Sequence, residues 1–100
     1  MIAPLKHILW FVLTGSKGGF TRTKILTSVK KQPKNTNQLA KDLHLDYKTI
    51  QHHIRVLEEN SLITSVRKGS YGTMYFLSEE LEQNIMLLDE ITNQYGKELE

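Results

Sequence analysis

Six side chains within one short stretch carry the groups that could do chemistry: Tyr47, Lys48, Thr49, Gln51, His52 and Arg55. Two are cations, one is an amide that both donates and accepts, and the rest add a phenol, a hydroxyl and an imidazole. Groups of these kinds hold phosphate oxygens by charge and touch base edges through paired donors and acceptors. Gln51 suits bidentate contact with adenine, and Arg55 suits guanine or a phosphate. Lys48 suits a phosphate, with Thr49 and His52 as secondary contacts.

The same residues do not make a catalytic or metal centre. His52 and His53 are adjacent, and neighbours on a helix point about 100° apart, so they cannot chelate together. His53 falls beside the apolar stripe of its helix, which suits a core or helix-packing histidine. The chain has no cysteine, which removes disulfides, thiolate metal sites and cysteine nucleophiles at once. It shows no phosphate loop and no nucleophile–base pair, so the sequence predicts neither an enzyme nor a bound cofactor.

To present such a face, residues 46–57 must form a helix. Asp46 stands at its N-cap, and Ile50, Ile54 and Leu57 fall at the i, i+4, i+7 spacing of a buried stripe. Before it, Asn35 and Gln38 are spaced as a capping box opening a helix with Leu39, Ala40 and Leu43 inward, ending near His44. The connector His44-Leu45-Asp46 is a tight turn. Two short helices so joined, the second polar and basic outside, form a helix-turn-helix.

Further upstream, Thr21 is placed to cap a helix over about residues 22–32, with Ile25, Leu26 and Val29 inward, Arg22, Lys24, Lys30 and Lys31 outward, and Pro33 as its stop. Downstream, Asn60 is suited to the left-handed conformation that ends a helix. Residues 62–68 and 73–78 then read as two strands about a Gly69-Ser70-Tyr71-Gly72 tip. With Arg67, Lys68 and Tyr71 at its tip, this is either an ordinary surface hairpin or, following a helix-turn-helix, a basic wing for the neighbouring backbone or minor groove.

The chain ends have another character. Leu5, Ile8, Leu9, Val12 and Leu13 line one side of a helix opened by Pro4 and stopped by Gly15. Ser78 caps a last helix in which Leu81, Ile85, Leu88, Thr92 and Tyr95 step as a heptad seam. So much apolar surface must pack on the core, on a second copy, or on both. The expected homodimer seam comprises Leu5, Ile8, Leu9, Val12, Leu81, Ile85, Leu88 and Tyr95.

One hundred residues, 39% hydrophobic and 24% charged, make one domain with a single core. It divides into an apolar helix (1–14), a winged helix-turn-helix core (21–78) and a dimerisation helix (79–99). The net charge of +2 hides an asymmetry. Residues 1–78 hold twelve Lys/Arg against four Asp/Glu, whereas residues 79–100 hold one against seven. A basic body suits a polyanion, and an acidic tail belongs on the far side from it. The apolar run Ile8–Leu13 is too short for a bilayer, which needs about 20 residues, or for a secretory signal. The expected address is cytoplasmic, with no membrane partner.

The phrases Thr21-Arg22-Thr23-Lys24-Ile25-Leu26, Asn37-Gln38-Leu39-Ala40 with Leu43, Tyr47 to Glu58, and Asn60-Ser61-Leu62-Ile63 resemble the ArsR-like winged-helix regulators, in particular small archaeal ones. The likeness covers residues 20–78 and is most specific over 46–63. It implies a mainly α (α+β) winged helix-turn-helix with a two-stranded wing and terminal helices that make the dimer. It also implies that Lys48, Thr49, Gln51, His52 and Arg55 face the major groove. Ser61 stands where that family usually has glycine. Metal-sensing members use cysteines, or His and acidic residues on the last helix; here the last helix has no His, which disfavours such a site. The expected function is sequence-specific regulation of transcription on double-stranded DNA, by a homodimer whose small-molecule effector, if any, is unknown. The alternative is a winged-helix adaptor that binds protein within a transcription or replication assembly.

Overall fold

Apolar side chains from every helix and both strands meet in one core. The computed structural model describes residues 4–15 and 17–99, with only the backbone for residues 71 and 95–99. In chain order the elements are α1 (Leu5–Leu13), α2 (Gly19–Lys31), α3 (Thr36–Leu43), α4 (Tyr47–Glu59), β1 (Ile63–Arg67), a 3-10 turn (Gly69–Tyr71), β2 (Thr73–Leu77), α5 (Glu79–Gln83) and α6 (Ile85–Leu99). The result is a winged helix-turn-helix, mostly helical with one antiparallel hairpin.

The helix-turn-helix is closed by local chemistry. Gln38 donates its backbone N–H to Asn35 Oδ1 at 2.8 Å while Asn35 N–H donates to Gln38 Oε1 at 2.8 Å, so two otherwise orphaned donors at the start of α3 are satisfied. His44 ends α3 in the left-handed conformation (φ 56°). Asp46 then opens α4, accepting from Thr49 N–H at 3.2 Å and Thr49 Oγ1–H at 2.6 Å. These bonds hold its carboxyl below the usual carboxylate range.

β1 and β2 pair from Ile63↔Leu77 at the base to Arg67↔Thr73 near the tip. Gly69 (φ 54°) and Gly72 (φ 72°) supply the positive dihedrals of the turn between them. The base is fastened to the body: Tyr75 N–H donates to Lys34 O at 2.8 Å and Lys34 N–H to Tyr75 O at 3.3 Å. The α2–α3 connector thereby serves as a one-residue third strand.

Four expectations need correcting. Thr21 does not cap α2; the helix starts at Gly19 behind left-handed Gly18 (φ 89°), and Thr21 lies inside it. Asn60 keeps a negative φ of −99° and its Nδ2 donates to Val56 O at 2.8 Å, while Ser61 takes the left-handed position at φ 56°. The last helix is not continuous: Asn84 (φ −123°) separates α5 from α6, its Nδ2 donating to Glu80 O at 2.9 Å. The heptad seam is cut between Leu81 and Ile85. Arg22, expected outside, is buried.

Arg22 is buried because it completes the end of α1 and ties it to the next loop and to α4. Its Nε and Nη2 donate to Val12 O at 3.1 and 3.0 Å, meeting a carbonyl in the last turn of α1, where the helix dipole is negative. Nη2 also reaches Lys17 O at 3.3 Å. Nη1 lies 3.1 Å from Nδ1 of His53 on α4, which therefore accepts as a neutral imidazole. Gly18 is required beside this pair: a Cβ there would come within 2.8 Å of His53 Cε1.

Burial, then the Arg22 charge, then His52 lower the His53 pKa below its ordinary value. The folded state thus binds a proton less readily than the unfolded chain, and stability is lost as pH falls below the ordinary histidine value of 6.5. Urea titrations from pH 7.5 to 5 should show ΔG falling by at most about 1.4 kcal/mol per pH unit from this one group. In His53→Gln the slope should flatten; an unchanged slope would assign the acid sensitivity elsewhere. Separately, Ser61→Gly relieves a left-handed non-glycine residue and should raise stability by about 0.5–1 kcal/mol, a few degrees in Tm by calorimetry. A lower Tm would mean the serine is held by more than its backbone.

Candidate nucleic-acid interface

α4 divides into faces by its own periodicity. Ile50, Ile54 and Leu57 are buried to 0–1% exposure, with His53 beside them. Lys48, His52 and Arg55, again at i, i+4, i+7, are exposed. They form a stripe of two cations and an imidazole along the helix, set by a spacing that needs no neighbouring element.

Beside that stripe the helix is less free than its sequence suggests. Thr49 is half-buried, its hydroxyl committed to the Asp46 cap. Gln51 is half-buried too, and its Nε2 donates to Tyr47 Oη at 3.1 Å and Thr36 Oγ1 at 3.3 Å. Tyr75 lies in the same cleft as these groups, the pKa of its hydroxyl pushed up by burial with Thr36 opposing. A polar seam therefore joins α4 to the start of α3, with Tyr75 of β2 beside it. It lines a cleft of about 150 Å³ that also takes in Asn35, Asn37 and Thr73.

Of the expected contact residues, the structure brings Lys48, His52 and Arg55 onto one exposed strip and sets Tyr47 and Gln51 together at its edge. Arg67 and Lys68 are exposed at the far end of the hairpin, on a separate element. The Tyr71 side chain lies outside the described residues. Sequence reasoning misses Thr36, Asn37 and Tyr75. Thr36 and Asn37 look like routine helix-start residues, and Tyr75 like a strand filler; only the hairpin register brings them together.

The expected dimer residues also separate. Leu9, Val12, Leu81 and Leu88 are 0–1% exposed in the chain's own core and have no surface left for a partner. Leu5, Ile8 and Ile85 are half-buried, and the Tyr95 side chain lies outside the described residues. Among the described side chains, the large apolar groups that α1 and α6 do expose are Phe11, at 68%, and Met86, at 74%. Among the described residues no three His, Asp or Glu gather as a metal site, and no helix is long and apolar enough to cross a membrane.

Comparison with known proteins bears on this geometry. Residues 20–65 match the family described as bacterial regulatory protein, arsR family. An uncharacterized HTH-type transcriptional regulator of Methanocaldococcus jannaschii is 38% identical over 63 residues, covering 61% of this chain and 66% of the relative, just under two thirds. Among solved structures, reduced HlyU from Vibrio cholerae superposes with a TM-score of 0.66 at 20% identity, over 86% of this chain and 87% of that one. An ArsR-like transcriptional regulator from Rhodococcus gives 0.64 at 23% identity, over 94% and 86%. A mutant of ZitR from Lactococcus lactis gives 0.59 at 21% identity, over 79% of this chain and only 57% of that one. At such identities the structures speak for the fold, while the sequence match runs through α2, α3 and α4 and into the wing. The chain has the winged helix-turn-helix fold, and over residues 20–65 it is similar to the ArsR-like regulators.

Proposed function

We propose that this protein is a cytoplasmic, sequence-specific DNA-binding regulator that acts as a homodimer. The observation that carries the reading is the exposed Lys48–His52–Arg55 strip on a helix capped and braced for presentation, with the basic residues Arg67 and Lys68 on the adjoining hairpin. α4 enters the major groove, Arg55 and Gln51 touch base edges, and Lys48, Arg67 and Lys68 hold phosphates. Gln51 reads adenine at the cost of releasing Thr36 or Tyr47, which makes it a conditional contact. Phe11 and Met86 support pairing of two copies through α1 and α6, since exposed apolar groups of this size favour burial.

A second reading, a protein-binding adaptor, has one observation in its favour. The outer face of the hairpin carries Val66, Met74 and Phe76, with Val66 45% exposed. Retention on heparin or random duplex at moderate salt supports the DNA reading, and flow-through supports the adaptor.

Against a duplex enriched from a random pool, Arg55→Ala and Gln51→Ala should each lose about 1–3 kcal/mol of discrimination at one base position. Arg67→Ala should instead weaken binding to all sequences and lower the salt slope by about 1. Unchanged isotherms for all three would remove the assigned roles. Native mass spectrometry should find two chains per palindromic duplex, and Phe11→Glu with Met86→Glu should shift the free protein to monomer with its helical circular dichroism intact. A wild-type monomer at all concentrations would defeat the dimer.

A further inference from the structure

A concavity of about 540 Å³ opens between α2, the end of α3 and α6, away from the strip on α4. Its volume falls in the range of small-molecule sites, roughly 300–1,000 Å³. The space exists because residues that could have filled it are small: α2 places Thr23, Thr27 and Ser28 along it and α6 contributes Thr92. The threonine hydroxyls do not search for partners there. Thr23, Thr27 and Thr92 each donate to the carbonyl four residues back, at 2.9 Å in every case. What they leave toward the cavity is methyl groups and acceptor lone pairs, and Phe20 and Leu43 extend the apolar wall.

The rim is cationic. Lys24, Lys31 and Lys34 line the cavity against one carboxylate, Asp42. Lys34 is already matched, its Nζ 2.6 Å from Asp42 Oδ2 and 2.6 Å from Ser28 Oγ. Lys24 lies over the Phe20 ring, 5.2 Å from its centroid. Lys31 makes no ion pair among the described residues. Lys24 and Lys31 are seven positions apart on α2, two turns or about 10 Å along the axis. An apolar floor with two positive charges at that spacing fits neither a metal ion, which needs ligand oxygens or nitrogens, nor a neutral lipid tail.

We propose that this cavity binds a small organic anion: a carboxylate or phosphate monoester carried on a flat apolar body, the anion on Lys24 or Lys31 and the body between Phe20, Leu43 and the threonine methyls. The inference concerns the free protein and does not depend on the DNA reading. The test is a titration of the ¹⁵N-labelled full chain, followed by amide shifts, with salicylate, indole-3-acetate and phenyl phosphate as probes. Acetate and inorganic phosphate serve as anions without a body, and benzyl alcohol as a body without charge. Saturable shifts at Thr23, Thr27, Lys31, Leu43 and Thr92 are expected for the organic anions, with carboxylate and phosphate arms ranking the head group. Lys24→Ala with Lys31→Ala, both exposed and so harmless to folding, should raise the apparent Kd at least about tenfold, and Thr27→Phe should fill the space and abolish the shifts. The proposal is overturned if acetate and inorganic phosphate move the same amides equally, if the shifts fall on α4 or the hairpin, or if the double variant binds as the parent does.

Discussion

Arg22 is the constraint on which the arrangement of helices depends. One guanidinium ties together the end of α1, the loop leading into α2 and the inner side of α4. Burying a cation is costly unless its donors are met, and here the planar fork meets two carbonyls and an imidazole lone pair. The consequence is geometric. His53 must face inward, so His52 must face outward, and with it Lys48 and Arg55 at the helical period. The identity of the exposed strip is therefore decided from inside the protein. A lysine at position 22 would supply the charge without the fork and could not hold all three segments at once.

Much of this is legible in the chain because local rules suffice. Asn35 with Gln38, Asp46 before an apolar stripe, and glycines flanking Ser70-Tyr71 each act over a few residues, and each stands where spacing places it. What escapes is non-local or decided between near-equal neighbours. Arg22 sits among basic residues on a helix and nothing in its spacing distinguishes a buried arginine from a solvated one. Asn60 and Ser61 are adjacent candidates for one left-handed residue, and the choice falls to Ser61, leaving Asn60 to bond back to Val56. The heptad reading of the last segment is arithmetically sound, yet Leu81 belongs to the chain's own core and Asn84 ends α5 before the stripe can continue.

The face of α4 shows the same division between what a pattern implies and what packing permits. Polar outward residues look equivalent in a helical projection. In three dimensions Lys48, His52 and Arg55 reach solvent, while Thr49 and Gln51 are already spoken for by Asp46, Thr36 and Tyr47. Gln51 thereby links the helix to the start of α3 through Thr36, and Lys34 fastens the hairpin to the α2–α3 connector. The hairpin and α4 are held as one surface, so their relative placement is a property of the fold and not of whatever they touch.

The interruption at Asn84 has a mechanical meaning. A continuous helix from Glu79 onward would be a rigid strut, fixed to the core by Leu81. With the break, the fifteen residues of α6, about 22 Å at 1.5 Å per residue, set off in a direction of their own and are seated in the core by Leu88 and Ile91. The break is therefore a fixed angle and not a hinge: any other direction for α6 would pull Leu88 and Ile91 out of the core, so whatever packs against the outer side of α6 is oriented by a single asparagine.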